Sequence, residues 1–110
     1  MLTMAMTRAA SGLLRALLER TGDQSSRILL SEIQSVDWQS LTFTGETHLL
    51  WLRVPGPNAD RIVGRLTANL GNAEFAIPGH LVADIAVASA PSCAFDGSVT
   101  LAIEALTIAD

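Results

Sequence analysis

Two carboxylates and two imidazoles in this sequence are of the types that carry acid–base or metal chemistry. They belong to Glu32, Asp84, His48 and His80. Carboxylate oxygens and imidazole nitrogens bind zinc and other divalent ions, and the same groups transfer protons in catalysis. Alternation along the predicted strands puts all four on one side of a sheet. The sequence therefore predicts a candidate polar site there, for a metal ion or for an acid–base pair.

The spacing of these four residues matches no known motif. HExxH, CxxC and glycine-rich phosphate loops are all absent from the sequence. The more ordinary interpretation is that the carboxylates are solvated or paired with arginines, and that each histidine caps a strand or turn. We therefore expect no cofactor and favour a non-enzymatic protein. A metal-dependent or acid–base enzyme that uses these residues remains an alternative.

Cys93 is the single cysteine, so an internal disulfide is impossible and a reducing compartment is favoured. The expected location is the cytoplasm. No histidine lies close to Cys93 in sequence, which favours a small buried hydrophobic side chain at a strand start over a nucleophile.

The composition is rich in core-forming residues and poor in charge. Of 110 residues, 49% are hydrophobic and 16% are charged, which suits one folded domain spanning residues 1–110. A chain with so little charge is expected to leave apolar surface exposed as a monomer. Contiguous apolar surface of that kind usually marks an interface.

The charge distribution argues against a nucleic acid partner, and the hydropathy of the sequence argues against a membrane. The formal net charge is −4, and the basic residues are seven scattered arginines without any lysine. No apolar run reaches the ~20 residues that a membrane-spanning helix needs. Near the N-terminus, Arg15 interrupts the apolar stretch, so a signal peptide is not expected either. The expected partner is a second copy of the chain.

Hydrophobic periodicity predicts two helices and four strands. In the first helix a leucine stripe faces inward, Thr7 is the predicted N-cap and Gly22 follows the C-terminus. The predicted elements are a helix over 7–21, strands over 27–37 and 41–54, a helix from 59 to 70, and strands over 80–90 and 98–108.

The two halves of the chain resemble each other at a displacement of 52 positions. Glu32 then coincides with Asp84, Ile33 with Ile85 and Gly12 with Gly64. Matches at one displacement predict an internal pseudo-repeat of a helix and two strands, with half-units at about 7–54 and 57–108.

The element order predicts an α+β two-layer sandwich of αββαββ type. Its sheet has four strands, mostly antiparallel, with strands two and four central and both helices on one face. The layout resembles a circular permutation of the ferredoxin-like arrangement, although no motif in the chain carries that analogy.

A sheet with helices on one side leaves its other face for water or a partner. We expect a homodimer or higher homo-oligomer that covers this open face. Trp38 is a candidate interface anchor, whereas Trp51 is expected in the core. An apolar groove between subunits that holds a small-molecule ligand is the alternative. The predicted interface residues are Leu30, Val36, Trp38, Leu50, Leu52, Val82 and Leu106.

Overall fold

The computed structural model describes residues 6–109 and has an α+β architecture. Each helix is followed by two strands, as the periodicity predicts. The elements are α1 (Arg8–Glu19), a 3₁₀ turn (Gly22–Arg27), β1 (Leu29–Gln39), β2 (Thr44–Val54), α2 (Ala59–Thr67), a second 3₁₀ turn (Leu70–Asn72), β3 (His80–Cys93) and β4 (Val99–Ala109).

The four strands form one antiparallel sheet in the order β1-β2-β4-β3. The prediction that strands two and four are central is confirmed. Tight connections join β1 to β2 and β3 to β4, and α2 lies in the connection between the two hairpins. Because β2 and β4 pair on both sides, they supply the most deeply buried strand residues.

Both helices pack on the same face of the sheet, which we call the covered face. Buried residues of α1 and α2 join one core cluster with Leu50 and Leu52 of β2 and Leu101 and Ile103 of β4. These four strand residues are fully buried. No helix within residues 6–109 lies over the opposite side, which we call the open face.

α1 begins at a side-chain cap and packs closely against a loop. The Thr7 hydroxyl accepts a hydrogen bond from the amide of Ala10 at 3.1 Å, which confirms the predicted N-cap. Farther along the helix, a Cβ placed on Gly12 would lie 2.7 Å from Cγ2 of Ile77. A glycine at this position therefore lets the loop before β3 approach the helix.

The C-terminus of α2 is held by an arginine that follows α1. Arg20 donates a hydrogen bond from Nε to the carbonyl of Leu66 at 2.8 Å, and a second guanidinium nitrogen donates to the carbonyl of Ala68. Its guanidinium carbon also lies 5.9 Å from the centre of the Phe75 ring. The carbonyls at a helix end have no intrahelical partner, so Arg20 satisfies two of them and ties the helices together.

Irregular strand pairing changes which side chains face the core. The register of β1 shifts between Leu30 and Glu32, and that of β3 shifts between Val82 and Asp84. An extra residue in a strand reverses the alternation beyond it. Leu30 and Val82 are consequently half-buried against the core, and their predicted place on the open face is wrong.

The predicted phase of β2 is also wrong. Leu50 and Leu52 are completely buried on the covered face, whereas Trp51 is half-exposed on the open face instead of filling the core. The segment Leu49–Leu52 is apolar at every position, so it contains no polar residue that marks the outward side. Its phase is set by pairing with β4, whose own alternation was predicted in the correct phase.

Neither helix described between residues 6 and 109 combines the length and the hydropathy that crossing a bilayer requires.

Candidate functional site

The open face carries an apolar patch at the end where β1 and β4 finish. Trp38, Gly45, Ile108 and Leu81 follow one another across the four strands in one row of the sheet. The next row contains two further apolar side chains. We call this patch the apolar end; its members are Val36, Trp38, Leu81, Leu106 and Ile108.

Two members of the apolar end are strongly exposed. Val36 keeps 62% of its surface accessible and Leu81 keeps 57%, while Trp38, Leu106 and Ile108 are half-buried. Gly45 stands directly opposite both Trp38 and Ile108. Because glycine has no side chain, position 45 places none between the indole of Trp38 and the side chain of Ile108. The row from Trp38 to Leu81 therefore contains no polar side chain, whereas in the next row Thr47 lies between Val36 and Leu106.

The middle of the open face is mixed in character. Glu104 lies on the central strand β4, opposite Leu49 on one side and Ala86 on the other. Glu32 occupies the same face on β1, and Asp84 lies on β3 opposite Leu106. Asp84 and Glu104 thus border the apolar end, Glu32 lies one row farther away, and all three side chains are exposed.

At the far end of the open face, an ion pair links β2 to the β3–β4 loop. Arg53 donates to Asp96 at 3.0 Å, and both side chains are largely solvent-accessible. Hydrogen bonds from the Ser98 hydroxyl and amide, together with Arg53, hold the pKa of Asp96 below its usual value. Arg53 is thereby engaged away from the three carboxylates.

The structure divides the predicted interface residues between the two faces. Val36, Trp38 and Leu106 lie on the open face, as expected. The other four, Leu30, Leu50, Leu52 and Val82, lie on the covered face and do not line the open surface. Leu81 and Trp51 were missed there. The strong period-two alternation of β4, extended across the sheet by pairing, is the signal that identifies the open side.

The four residues of the predicted polar site do not come together. Glu32 and Asp84 are on the open face, whereas His48 and His80 are on the covered face. The expectation that they share one side is therefore wrong. The carboxylates lie on the predicted open face, but the inverted phase of β2 puts His48 on the covered face, and the shift in β3 between Val82 and Asp84 puts His80 there too. Within residues 6–109, no cluster of three or more His, Cys, Asp or Glu side chains is arranged to hold a metal ion.

His48 is instead the centre of a buried hydrogen-bond network that joins three strands. Its Nδ1 lies 2.8 Å from Oγ of Ser35 on β1, and its Nε2 lies 2.8 Å from Oγ1 of Thr107 on β4. Thr107 in turn donates to the backbone carbonyl of Glu46 at 3.5 Å. We call Ser35, His48, Thr107 and Glu46 the His48 network. His48 is only 2% exposed.

Burial lowers the pKa of His48, an effect opposed by the nearby carboxylate of Glu46 and reinforced by the His80 imidazole. Taking an imidazolium out of water costs free energy, so the buried ring favours the neutral form. One carboxylate oxygen of Glu46, Oε1, is buried without a hydrogen-bond partner among the described residues. Such a group raises the free energy of the folded state unless it interacts with a charge.

Sequence reasoning identified His48 but not its partners. Ser35 was noticed only as a small residue, and Thr107 and Glu46 were not singled out. The pairing of β1 with β2 puts Ser35 directly opposite His48, and that register is fixed only after the shift at Leu30. The corresponding signal in the sequence is weak, because hydroxyl residues are common in strands.

Two grooves are further features of the surface. A groove of about 570 Å³ runs along the outer side of α1 beside Leu14 and Leu18, and another of about 310 Å³ lies on the open face between Val36, Asp84 and Glu104. Cys93 ends β3 and is exposed, so its predicted burial at a strand start is wrong.

Comparison with known proteins finds no relative. No protein-family model matches the chain, no curated protein is similar to it, and no solved structure matches it.

Proposed function

We propose that this protein is a binding domain that self-associates through the apolar end of the open face. One observation carries the proposal: five apolar side chains lie in two adjacent rows on the side of the sheet that no described helix covers. They are Val36, Trp38, Leu81, Leu106 and Ile108. Exposed apolar patches of this kind are uncommon on monomeric proteins and usually mark contact sites.

A second copy of the chain is the occupant that fits this surface best. A two-fold contact centred on the apolar end buries the same side chains in both copies. Glu32 and Glu104 lie in the rows toward the middle of the sheet, and Asp84 lies on the outer strand β3. In a contact centred on the apolar end, these carboxylates occupy the rim, where they remain hydrated.

The distribution of charge also disfavours a strongly basic or strongly acidic partner. Within the open face the carboxylates lie beside the apolar end on β3 and toward the middle of the sheet, whereas Arg53 is at the opposite end and bonded to Asp96. The patch itself is uncharged. It therefore suits an equally apolar surface, such as its own copy, better than a charged macromolecule.

A small-molecule ligand is the second candidate function. The groove of about 310 Å³ beside Val36 and Leu106 adjoins the apolar end and also exposes the polar groups of Gln34 and Thr47. In a dimer centred on the apolar end, this groove lies beside the contact and becomes more enclosed. Apolar walls with a few polar groups are typical of ligand pockets.

We also infer a location in the cytoplasm, which the single cysteine supports.

We further infer that the two halves are variants of one unit in a permuted ferredoxin-like layout. The strand order and the register shifts support this layout, because the shift at Leu30 and Glu32 and the shift at Val82 and Asp84 are 52 positions apart. The hairpins differ in length, since β2 begins at Thr44 and β4 begins at Val99.

Analytical ultracentrifugation of the wild type and of matched double variants tests the proposal. V36S together with L81S removes the two most exposed members of the apolar end. Each lost apolar contact is worth about 1 kcal/mol or more and counts in both copies, so dimer affinity should fall at least ~100-fold. The control, L29S together with F95S, removes two exposed apolar side chains at the opposite end of the sheet and should leave the affinity unchanged.

A wild-type protein that stays monomeric at micromolar concentration overturns self-association. If instead the protein dimerises and the control variant weakens the dimer as much as V36S/L81S does, the contact lies elsewhere. Electron density for a small molecule in the groove beside Val36, in crystals of a monomeric protein, favours the second candidate.

A further inference from the structure

One tautomer of neutral His48 satisfies every contact of the His48 network. With the ring proton on Nε2, the Thr107 oxygen accepts from Nε2 at 2.8 Å, and the Thr107 hydroxyl donates to the Glu46 carbonyl over a longer 3.5 Å. In this tautomer Nδ1 is an acceptor, and the Ser35 hydroxyl donates to it at 2.8 Å.

This arrangement has the parts of a nucleophile and its base. The Ser35 hydroxyl points its proton at an unprotonated imidazole nitrogen, and the imidazole is oriented by a third group, the Thr107 hydroxyl. A base held in this way increases the nucleophilicity of a serine hydroxyl that is otherwise unreactive. The carboxylate that usually orients such a histidine is replaced here by a hydroxyl.

The base and the nucleophile of this pair differ in burial, as their roles require. His48 is 2% exposed, so solvent does not compete for its nitrogens. Ser35 is partly exposed on β1, an outer strand of the sheet. The base is shielded, while the serine residue keeps partial access to solvent.

Glu46 supplies the charge that a protonated His48 requires. It precedes His48 by two residues on the same strand and therefore on the same face. Its Oε1 is buried without a hydrogen-bond partner among the described residues. When the neighbouring ring gains a proton, the interaction between this oxygen and the positive charge lowers the free energy of the protonated state. The other titratable groups on this face are Asp37 of β1, opposite Glu46, and His80 of β3.

We propose that Ser35 is a nucleophilic residue that accepts an acyl or phosphonyl group, with His48 as its general base. With a fluorophosphonate, the Ser35 oxygen forms a bond to phosphorus, the phosphorus–fluorine bond breaks, fluoride leaves, and the hydroxyl proton passes to Nδ1 of His48. With a carboxylic ester, the oxygen attacks the carbonyl carbon, and the proton held on His48 protonates the departing alkoxide. This activity goes beyond self-association and does not depend on it.

The test is to react the intact protein with an alkyl fluorophosphonate and to locate the adduct by peptide mass spectrometry. Ser31 of β1 and Ser92 of β3 are exposed serines, and within residues 6–109 neither hydroxyl is bonded to an imidazole. Both are internal controls in the same sample. Labelling at Ser35 and not at Ser31 or Ser92 supports the proposal. An unlabelled Ser35, or equal labelling of all three, overturns it.

Two variants separate activation from mere exposure. H48Q keeps a polar side chain but removes the base, so Ser35 labelling should fall at least ~100-fold. T107V removes the group that fixes the tautomer and should slow labelling by a smaller factor. Circular dichroism establishes that each variant is folded.

The dependence of the labelling rate on pH provides a readout that does not require a variant. The rate in the wild type should fall on acidification, as His48 becomes protonated and can no longer accept the proton. A labelling rate that is the same in folded H48Q, or that does not change with pH, contradicts the role of His48.

Discussion

The two faces of this sheet are built from the same strands yet differ in composition and in burial. On the covered face, Leu101 and Ile103 of β4 are fully buried beneath the helices. On the open face, the alternate residues of the same strand include Glu104 and Leu106, one charged and one apolar. The comparison shows that polar residues on the covered face are buried and hydrogen-bonded to one another, as Thr107 is to His48, whereas charged residues on the open face are solvated beside apolar ones.

The largest expected effect comes from the covered face. L50A should lower the free energy of unfolding by about 2–5 kcal/mol, because it removes buried methyl groups and leaves a cavity. The neighbouring variant L49A, on the half-exposed side of the same strand, should cost distinctly less. Urea denaturation followed by circular dichroism measures both. Equal losses would contradict the assignment of faces in β2.

A matched pair of helix glycines gives the next effect. G12A places a Cβ 2.7 Å from Ile77, so it should destabilise the protein by about 1–3 kcal/mol despite the better helix propensity of alanine. G64A in α2 meets no atom within 4 Å and should stabilise by about 0.5–1 kcal/mol. Thermal unfolding should thus shift in opposite directions. A gain for both variants would show that Ile77 moves aside without cost.

Acidification should destabilise the protein through His48. Burial lowers the pKa of this imidazole in the folded state, so between that value and the ordinary ~6.5 the unfolded chain binds more protons. The stabilisation present above pH ~6.5 is therefore lost progressively as the pH falls toward the lowered pKa. Urea titrations across this range should show the loss in the wild type and in H80Q, but not in H48Q.

The smallest expected effect concerns the rim of the open face. E104Q removes one of the three carboxylates beside the apolar end and should tighten self-association by about two- to five-fold, with little change in unfolding. Sedimentation equilibrium at low and high salt measures the change, and high salt should reduce the difference between variant and wild type. Weaker association of E104Q would place this carboxylate in a favourable contact.

Local sequence was sufficient for the elements and much of the topology. The leucine stripe of α1, its Thr7 cap and the alternation of β4 were each predicted correctly from nearby residues. The central position of β2 and β4 followed from their apolar content. The segment Leu49–Leu52 could not be oriented from local sequence. It contains no polar residue, so nothing in it indicates which side chains face the helices.

The candidate sites depended more strongly on tertiary structure. The polar site predicted from strand parity required the correct phase of β2 and unbroken alternation in β3, and neither held: His48 faces the helices, and the shift at Val82 separates His80 from Asp84. The His48 network required Ser35 and Thr107 to arrive from strands far apart in sequence. Neither a shift in register nor a contact across strands produces a distinctive local pattern.

The sequence by itself determined the class of fold, the strand order and the excess of apolar surface, because these follow from periodicity and composition. Tertiary structure alone decided which side chains face the helices and which donors meet which acceptors. The physical reason is that a single inserted residue reverses which face each later side chain of a strand points to. The free-energy cost of that irregular pairing is offset by packing and pairing with distant parts of the chain.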